Sequence, residues 1–292
     1  SGSNVTYTTK TAIVVGAGSS GTKTIQNAGA NNADNTAITL NDNVIIDDSD
    51  TFTLGGVISG TGGLTKTNSG TTTLTGANTY SGDTTVNAGT LALAVGGRIG
   101  NGDLIVSNGT FSIANNSYNF LGGTGSNGTI TVNAGGTLET VSASQNAHNV
   151  GAVTLNGGTL FSSGGTHSEG NWIFNSGVTV GGSTLSTISG IAVGSKTVAG
   201  GTYNVADSVA GSGTDLLVTA KIINASTSGG TSLTKTGAGT MELTGTNTYT
   251  GATNVNGGTL AISGGGTISE SSAIVINDTG TLRFDKNDTF GN

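Results

Sequence analysis

The chain has 292 residues, of which 53 are glycine, and it contains no proline and no cysteine. Charged residues make up 9% of the sequence, against about 25% in ordinary globular proteins, and the formal net charge is −7. An acidic chain without a basic cluster is not expected to bind nucleic acid, and no apolar run approaches the roughly 20 residues of a membrane-spanning helix.

Gly, Thr, Asn and Ser dominate the composition, and they favour turns and strands over helices. No window combines enough Leu, Glu, Lys and Ala for a helix, whereas Thr and Val suit the pleated surface of a strand. Disorder is the alternative for so polar a composition, but hydrophobic residues amount to 33% of the chain and recur periodically. The sequence therefore predicts an all-β protein in which short strands alternate with Asn and Gly turns.

The first predicted strand, residues 12–15, is followed by the pattern Gly-x-Gly-x-x-Gly at residues 16–21. In a dinucleotide-binding site this pattern leads into a helix whose N-terminus binds the pyrophosphate. Residues 22–35 show no helical apolar period and are rich in Asn and Gly. We therefore interpret the pattern as a turn and predict no cofactor.

Two acidic stretches further along resemble parts of calcium sites. Asp47, Asp48 and Asp50 are clustered, and residues 100–103 (Gly-Asn-Gly-Asp) resemble half of a calcium-binding nonapeptide. Calcium sites of that type need oxygen ligands from consecutive repeats, and the neighbouring segments lack the aspartate. We interpret these residues as solvated carboxylates in turns and predict no metal site.

A long repeat occupies residues 64–93 and again residues 233–262. From Gly70 and Gly239 onward, GTTTLTGANTYSGDTTVNAGTLAL aligns with GTMELTGTNTYTGATNVNGGTLAI, and about two-thirds of the aligned positions are identical. Upstream, the sequence LTKT begins both copies, at Leu64 and at Leu233, and it keeps the same alignment. A match of this length indicates that both segments adopt the same local structure.

A shorter unit recurs along the chain: apolar-x-apolar, an Asn/Gly turn, and Thr-apolar-x-apolar. The last apolar residue before the turn is Val86, Val106, Val132, Leu155 and Val180, so the unit recurs about every 20–26 residues. A period of this length with two or three short strands is typical of one coil of a parallel β-helix. Stacking coils about 4.8 Å apart brings equivalent residues into the same inner row.

The sequence therefore predicts a single continuous parallel β-helix over residues 1–292, as a piece of a longer chain. An antiparallel sandwich is the alternative, but the turn lies inside the repeated unit, and each repeat reproduces the same unit rather than a mirrored partner. The residues predicted for the inner rows are Val86, Leu91, Val106, Phe111, Val132, Leu138, Leu155, Leu160, Val255, Leu260, Ile276 and Leu282.

The long repeats resemble the passenger-associated repeat of bacterial autotransporters, in the segments LTKTNSGTTTLTGANTYSGDTTVNAGTL (64–91) and LTKTGAGTMELTGTNTYTGATNVNGGTL (233–260). The resemblance implies a right-handed parallel β-helix that is secreted as a passenger and stays at the bacterial cell surface, associated with the outer membrane. In that family, a low charge content and the lack of cysteine suit passage through a narrow outer-membrane pore.

Parallel β-helices also include polysaccharide lyases and hydrolases, which need several carboxylates converging on one face. The 16 acidic residues of this chain are scattered. His148 and His167 are isolated, and His167-Ser168-Glu169 is a local run rather than a triad defined by geometry. We therefore predict that the chain is not an enzyme, and we assign no catalytic residue.

Aromatic and hydroxyl side chains raise further alternatives. Tyr80 and Tyr249 recur at the same place in the long repeat, where packing at a coil corner is favoured over stacking on a sugar, and Trp172 is predicted to cap or fill the core. Thr-x-Thr runs such as residues 71–73 would suit ice binding only if threonine kept one register over many coils, which we do not expect.

Three functions stay open at this stage. The favoured hypothesis is a non-enzymatic stalk or adhesin that contacts surfaces or other cells through an unknown ligand. The alternative is a subunit of an extracellular filament that self-associates end to end through exposed strand edges at residues 274–284 and 6–15. A β-helical polysaccharide-active enzyme is the third.

Overall fold

The computed structural model describes residues 12–18, 21–114, 120–121, 128–141, 148–163, 172–190, 192–195, 201–211, 213–224 and 230–285. The regular elements in this part of the chain are all β-strands, so it contains no helix that could cross a membrane. The chain divides into two compact units. The first contains residues 1–129 and 136–141, and the second contains residues 130–135 and 142–292.

The described strands are three to five residues long. In chain order they are β1 (Ile13–Val15), β2 (Lys23–Asn27), β3 (Asn32–Asp34), β4 (Ile38–Leu40), β5 (Val44–Asp48), β6 (Thr51–Leu54), β7 (Ile58–Gly60), β8 (Leu64–Thr67), β9 (Thr71–Leu74), β10 (Thr84–Val86), β11 (Thr90–Leu93), β12 (Leu104–Val106), β13 (Thr110–Ile113), β14 (Ile130–Asn133), β15 (Thr137–Thr140), β16 (His148–Val150), β17 (Val153–Asn156), β18 (Thr159–Ser162), β19 (Trp172–Phe174), β20 (Val178–Val180), β21 (Ser186–Gly190), β22 (Ala192–Ser195), β23 (Gly201–Val205), β24 (Leu216–Val218), β25 (Lys221–Asn224), β26 (Leu233–Thr236), β27 (Thr240–Leu243), β28 (Thr253–Val255), β29 (Thr259–Ile262), β30 (Ile274–Ile276) and β31 (Thr281–Phe284).

The chain passes through three parallel sheets in turn in the first unit. Sheet 1a has the strand order β1-β4-β7, sheet 1b has β2-β5-β8-β10-β12, and sheet 1c has β3-β6-β9-β11-β13-β15. Thr84 pairs with Leu64 on one side and with Leu104 on the other, so these three residues belong to consecutive coils. Parallel neighbours need a crossover connection, and here the rest of the coil supplies it.

The second unit is built in the same way. Sheet 2a has the strand order β16-β19-β22-β25, sheet 2b has β14-β17-β20-β23-β26-β28-β30, and sheet 2c has β18-β21-β24-β27-β29-β31. Leu155 pairs with Val132 and with Val180, which are the residues that the sequence pattern aligns with it. These pairings are parallel, so the predicted parallel β-helix and its period are confirmed, and an antiparallel sandwich is excluded.

The inner rows form columns of apolar side chains inside the coils. Removal of this apolar surface from water, at roughly 25 cal/mol per Å², is the main source of stability for such a fold. Ten of the twelve residues predicted for the inner rows are fully buried: Val86, Leu91, Val106, Phe111, Val132, Leu138, Leu155, Leu160, Val255 and Leu260.

The prediction of burial is wrong for Ile276 and Leu282. Their register is as expected, since Ile276 pairs with Val255 and Leu282 pairs with Leu260. However, Ile276 is 53% exposed and Leu282 is only half-buried, because no described strand stacks on the outer edge of β30 or β31. An inner-row side chain in a solenoid is buried only when a coil lies on both sides of it.

The sharp corners between sheets use left-handed backbone, as the Asn and Gly turns predict. The corner after β8 has Asn68 at φ 64°, and the equivalent corner after β26 has Gly237 at φ 79°. Glycine adopts this conformation without a Cβ clash, and asparagine is among the few other residues that tolerate it.

Threonine does keep one register in sheet 1c, contrary to the prediction. The first residues of five consecutive strands in this sheet are Thr51, Thr71, Thr90, Thr110 and Thr137. The third residues of the same strands are Thr53, Thr73, Ala92, Ser112 and Glu139. Two parallel rows of threonine therefore extend over only two coils of this sheet.

Candidate functional site

The glycine-rich stretch at residues 16–21 does not lead into a helix. The next element is the strand β2, so the helix N-terminus that would bind a pyrophosphate is not formed at this place. Gly16, Gly18 and Gly21 are exposed to solvent. The described residues of the stretch, 16–18 and 21, belong to neither a helix nor a strand.

Asp48 was wrongly predicted to be a solvated turn carboxylate. It is the last residue of β5, and it has no exposed surface. Its carboxylate accepts hydrogen bonds from Asn27 Nδ2 at 3.0 Å, from Thr72 Oγ1 at 3.1 Å and from the main-chain N–H of Asp50 at 3.1 Å. Because a buried carboxylate needs such partners, Asp48 is an internal structural group.

The neighbouring acidic residues bond to protein groups of adjacent coils. Asp47 accepts hydrogen bonds from Gln26 Nε2 and Asn68 Nδ2, each at 3.1 Å. Asp103 accepts one from the main-chain N–H of Thr129 at 2.7 Å. Among the described residues, no three His, Asp or Glu side chains are grouped so that they could hold a metal ion.

His148 is a core residue in the structure. It begins β16 and is buried against Trp172, with the two ring centroids 5.4 Å apart. Trp172 is itself fully buried, and its Nε1 donates to the carbonyl of Phe161 at 3.1 Å, so it fills the core as predicted. His167, Ser168 and Glu169 lie outside the described residues.

A surface depression of about 470 Å³ in the first unit is lined by residues that include Lys23, Asp42 and Thr65. Lys23 Nζ lies 2.6 Å from Asp42 Oδ2, and this hydrogen bond lowers the pKa of the Asp42 carboxyl. Its lining holds this one carboxylate and no histidine. The depression therefore lacks the pair of carboxyl groups that glycoside hydrolysis requires.

The long repeats carry a buried lysine in place of an apolar inner-row residue. Lys66 in β8 stacks between Ile46 and Val86, and Lys235 holds the same position in β26. Neither lysine has any exposed surface. Lysine is almost never fully buried unless its charge has partners. The hydrogen bonds of these two side chains therefore indicate the structural role of the repeat.

Each ammonium group is held by three main-chain carbonyls. The acceptors of Lys66 Nζ are the carbonyls of Thr67 (2.7 Å), Asn68 (3.0 Å) and Asp48 (3.4 Å). The acceptors of Lys235 Nζ are the carbonyls of Thr236 (2.9 Å), Gly237 (2.9 Å) and Gly257 (3.0 Å). Two of the three are the last residue of the strand and the left-handed residue that follows it. The lysine therefore closes its own corner and ties it to one adjacent coil.

Burial lowers the pKa of both lysines. For Lys66, the carboxylates of Asp48 and Asp47 oppose this effect. For Lys235, burial lowers the pKa to about 8, against the opposing charge of Asp215. An ammonium has three protons to donate, and the three carbonyls supply one acceptor for each.

Asn78 and its counterpart Asn247 connect three successive coils. Asn78 Oδ1 accepts the main-chain N–H of Ile58 at 2.8 Å, and Asn78 Nδ2 donates to the carbonyl of Arg98 at 2.8 Å. Ile58 and Arg98 lie 20 residues before and after the asparagine, which is 1% exposed. The corresponding partners of Asn247 are the N–H of Ile222 (2.8 Å) and the carbonyl of Thr267 (2.9 Å).

Tyr80 and Tyr249 are packing residues, as predicted. Tyr80 Oη lies 2.6 Å from Thr84 Oγ1, and Tyr249 Oη lies 2.6 Å from Thr253 Oγ1. Burial raises the pKa of both tyrosines to about 12. Gly100 leaves room for the first ring, since a Cβ there would lie 2.5 Å from it. Neither ring is available to stack on a sugar.

The lysine and the asparagine were missed in the sequence analysis, although a signal was present. Lys66 takes the second apolar place of the apolar-x-apolar pattern, and both copies of the repeat carry lysine there. A charged residue at an inner-row position in both copies points to an internal role. Because the shared lysine, asparagine and tyrosine are all buried, they offer no chemistry to a molecule in solution. The lysine and the asparagine join coils to one another.

The comparison with family models concerns these same segments. Residues 64–93 and 233–262 match the family model described as passenger-associated-transport-repeat, with the boundaries predicted for the long repeats. Over 65 residues the chain is 45% identical to the adhesin BmaC autotransporter of Brucella suis biovar 1 (strain 1330), a stretch that covers 22% of the chain and 2% of that protein. No solved structure matches the chain. The chain thus contains two passenger-associated-transport repeats, the repeat of bacterial autotransporter passengers, each built into a parallel β-helix.

Proposed function

We propose that this chain is a non-enzymatic β-helical part of a secreted bacterial surface protein and acts as a stalk or adhesin. The observation that carries the proposal is the burial of the lysine, asparagine and tyrosine that both long repeats share. A motif that recurs in two distant segments and uses its polar groups for internal contacts serves to build the fold. Contact with a surface or another cell is then made by the side chains that the coils present outward.

The relative supports this proposal. The protein with the matching segment is described as an adhesin autotransporter, which favours a place at the bacterial cell surface, associated with the outer membrane, for this chain too. The matching stretch covers only 2% of that protein's length. The adhesive role of the present segment therefore rests on its fold and on the repeat, and its proposed partner is a component of a surface or of another cell.

A gain of adhesion tests the proposal. A non-adherent laboratory bacterium that displays residues 1–292 is compared with the same bacterium carrying the empty display system, on cell monolayers and on plastic. We expect more bound or clumped bacteria, and we expect the purified chain to compete with this binding. The absence of any gain, together with cleavage of a polysaccharide by the purified chain, would support the enzyme hypothesis instead.

A specific observation favours a second candidate, the end-to-end filament. Ile274, Val275 and Ile276 are 38%, 38% and 53% exposed, and β30 has a free edge among the described strands of sheet 2b. Such an edge is a template for another strand, and a head-to-tail contact builds an open fibre. The other predicted edge is at residues 6–15, of which residues 12–15 are described and residues 6–11 lie outside the described part. Val14 in this edge is 61% exposed.

Light scattering over a range of concentrations tests the filament. If it forms, the apparent mass rises with concentration, and Ile276→Lys suppresses the rise because it places a charge on the exposed inner row. Val95→Lys is the matched control, since Val95 is 62% exposed but lies in a turn. Monomers at every concentration would contradict the filament and leave the stalk.

A further inference from the structure

The long repeats interrupt the ordinary hydrogen-bond ladder between coils. Ile38 donates its N–H to the carbonyl of Val57 in the next coil, as main-chain ladders do. Ile58, one coil later, donates its N–H instead to the side-chain oxygen of Asn78. The side-chain nitrogen of Asn78 in turn donates to the carbonyl of Arg98, in the coil after. One buried side chain thus satisfies main-chain groups on both neighbouring coils.

The second long repeat has the same arrangement in the other unit. Asn247 joins Ile222 in the coil before it to Thr267 in the coil after it. Its main-chain N–H also points at the carbonyl of Thr267, at 3.3 Å. The two bridging distances are 2.8 and 2.8 Å in the first copy and 2.8 and 2.9 Å in the second, so the bridge belongs to the repeat and not to one location.

The lysine adds a tie in one direction. Lys66 reaches the carbonyl of Asp48 in the coil before it, whereas Lys235 reaches the carbonyl of Gly257 in the coil after it. In the second repeat, Glu242 also accepts hydrogen bonds from Thr214 Oγ1 at 2.8 Å and from Ser263 Oγ. These hydrogen bonds are made by residues of the same coil that the asparagine joins to its two neighbours.

We propose that each long repeat locks its coil to the coils before and after it, so that three coils open together as one block and coil-by-coil unravelling stops there. When one interface of this coil opens, the asparagine loses a partner while it is still buried against the other coil. A buried polar group without a partner is unfavourable, so the two interfaces open together.

Pairs of asparagines elsewhere in the described structure provide the contrast. Asn156 Nδ2 donates to Asn133 Oδ1 at 3.1 Å, and Asn277 Nδ2 donates to Asn256 Oδ1 at 3.0 Å. Each of these contacts joins two coils, and it is partly or fully exposed. Solenoid coils joined in this way contact mainly their neighbours and can open singly from an end.

This inference deepens the proposed stalk function, because a stalk under tension needs places where unravelling stops. It does not depend on adhesion, however: a chain that fails to adhere can still contain the blocks, and an adhesive chain can lack them. The two proposals therefore fail separately.

Single-molecule pulling on the full chain, held at its two ends, measures the blocks directly. A coil of roughly 20–26 residues releases roughly 70–90 Å of chain when it opens, and three coils released together give roughly 200–270 Å, at about 3.3–3.6 Å per residue. We expect two long steps at higher force among short single-coil steps. Wild-type chains that open in uniform single-coil steps would overturn the proposal.

Variants assign each long step to its repeat. Asn78→Leu should convert one long step into single-coil steps, and the double variant Asn78→Leu/Asn247→Leu should remove both. Asn156→Leu is the matched control, since its amide joins only two coils, and it should keep both long steps. A control that removes a long step, or an Asn78→Leu variant that keeps both, would overturn the proposal.

A variant of the same size and shape covers the case in which Asn78→Leu does not fold. Asn78→Asp keeps an oxygen for the N–H of Ile58 but replaces the donor to Arg98 by a second oxygen. Native-state hydrogen exchange should then show Ile58 protected as in the wild type, while the coil of Arg98 opens separately. Unchanged protection of both coils would contradict the bridge.

Discussion

The two long repeats share their internal contacts but differ in the coil that precedes them. Equivalent glycines, Gly70 and Gly239, donate their N–H groups to the carbonyls of Asp48 and Val205, which identifies Val205 as the counterpart of Asp48. Thr72, the partner of Asp48, is replaced in the second copy by methionine, Met241. A buried carboxylate and hydroxyl in the first unit thus correspond to a buried valine and methionine in the second.

The difference shows which features the repeat carries with it. Both units contain three features of the repeat: the carbonyls that bind the lysine, the hydrogen bonds of the asparagine to two coils, and the tyrosine–threonine contact. The charged groups near the lysine differ between the two units, because they belong to the preceding coil. Lys66 has the carboxylates of Asp48 and Asp47 near it, whereas the opposing charge for Lys235 comes from Asp215.

The largest expected effect comes from Asp48→Val, which gives the first unit the residue of the second. The change removes the acceptor of Asn27 Nδ2 and Thr72 Oγ1 and takes away a carboxylate near the buried Lys66. A buried donor that loses its acceptor costs about 1–3 kcal/mol. We expect a loss of that order in the free energy of unfolding, measured in urea.

The double variant Asp48→Val/Thr72→Met completes the exchange and should recover part of this loss, because both partners become apolar. Asp50→Asn is the control: Asp50 is exposed, so the change should stay within about 0.5 kcal/mol. A double variant no more stable than Asp48→Val would show that the polar and apolar pairs are not interchangeable.

The next effect is a pH dependence set by Lys235. Its pKa is about 8 in the folded chain against 10.5 for free lysine, so between these values the folded state binds fewer protons than the unfolded state. The free energy of unfolding should therefore rise from pH 8 toward pH 10.5, by at most about 3 kcal/mol. Urea unfolding between pH 7 and pH 10 measures the rise. Lys235→Met should reduce it to the part that comes from Lys66, whose pKa burial also lowers.

Tyrosine reverses the trend at higher pH. Tyr80 and Tyr249 have pKa values of about 12 when buried, against 10.0 when free. The unfolded tyrosines ionise first, so the stability that these groups contribute below pH 10 is lost as the pH rises toward 12. The same titration in Lys235→Met should keep this fall. A fall that begins below pH 9 in the wild type would contradict the assigned groups.

A smaller effect tests what the two repeats have in common. Tyr80→Phe and Tyr249→Phe each remove one hydroxyl contact of 2.6 Å to a buried threonine. Each should lower the free energy of unfolding by about 1 kcal/mol, and by the same amount in both repeats. Thermal unfolding of the two variants makes the comparison, and a loss confined to one repeat would show that the contact depends on its surroundings.

The fold could be predicted from the sequence because the apolar pattern has the period of the coil. Val86, Val106 and Val132 hold the same place in successive units of the pattern, and all three are buried. Ile276 follows the same pattern but is exposed. Register is encoded in the local pattern, whereas burial depends on a further coil, and the pattern of one coil does not contain that information.

The site was harder to predict, because the charge of a residue does not tell which way it points. Asp48 looks like a turn residue in sequence, yet it alternates with Val44 and Ile46 on the buried face of β5. Lys66 has the same ambiguity, and it is resolved only by the corner carbonyls that the fold brings to its ammonium group. Tyr80 was predicted correctly because a large ring at a fixed place in a repeat is best explained by packing.

Amine-reactive labelling of the native chain, read out by peptide mass spectrometry, tests most directly whether the long repeats are internal structural elements. Lys66 and Lys235 are fully buried, whereas Lys23 and Lys221 are partly exposed. At neutral pH we predict that Lys23 and Lys221 react, that Lys66 and Lys235 do not, and that all four react in urea. Reaction of Lys66 or Lys235 in the native chain at the rate of Lys221 would contradict the account.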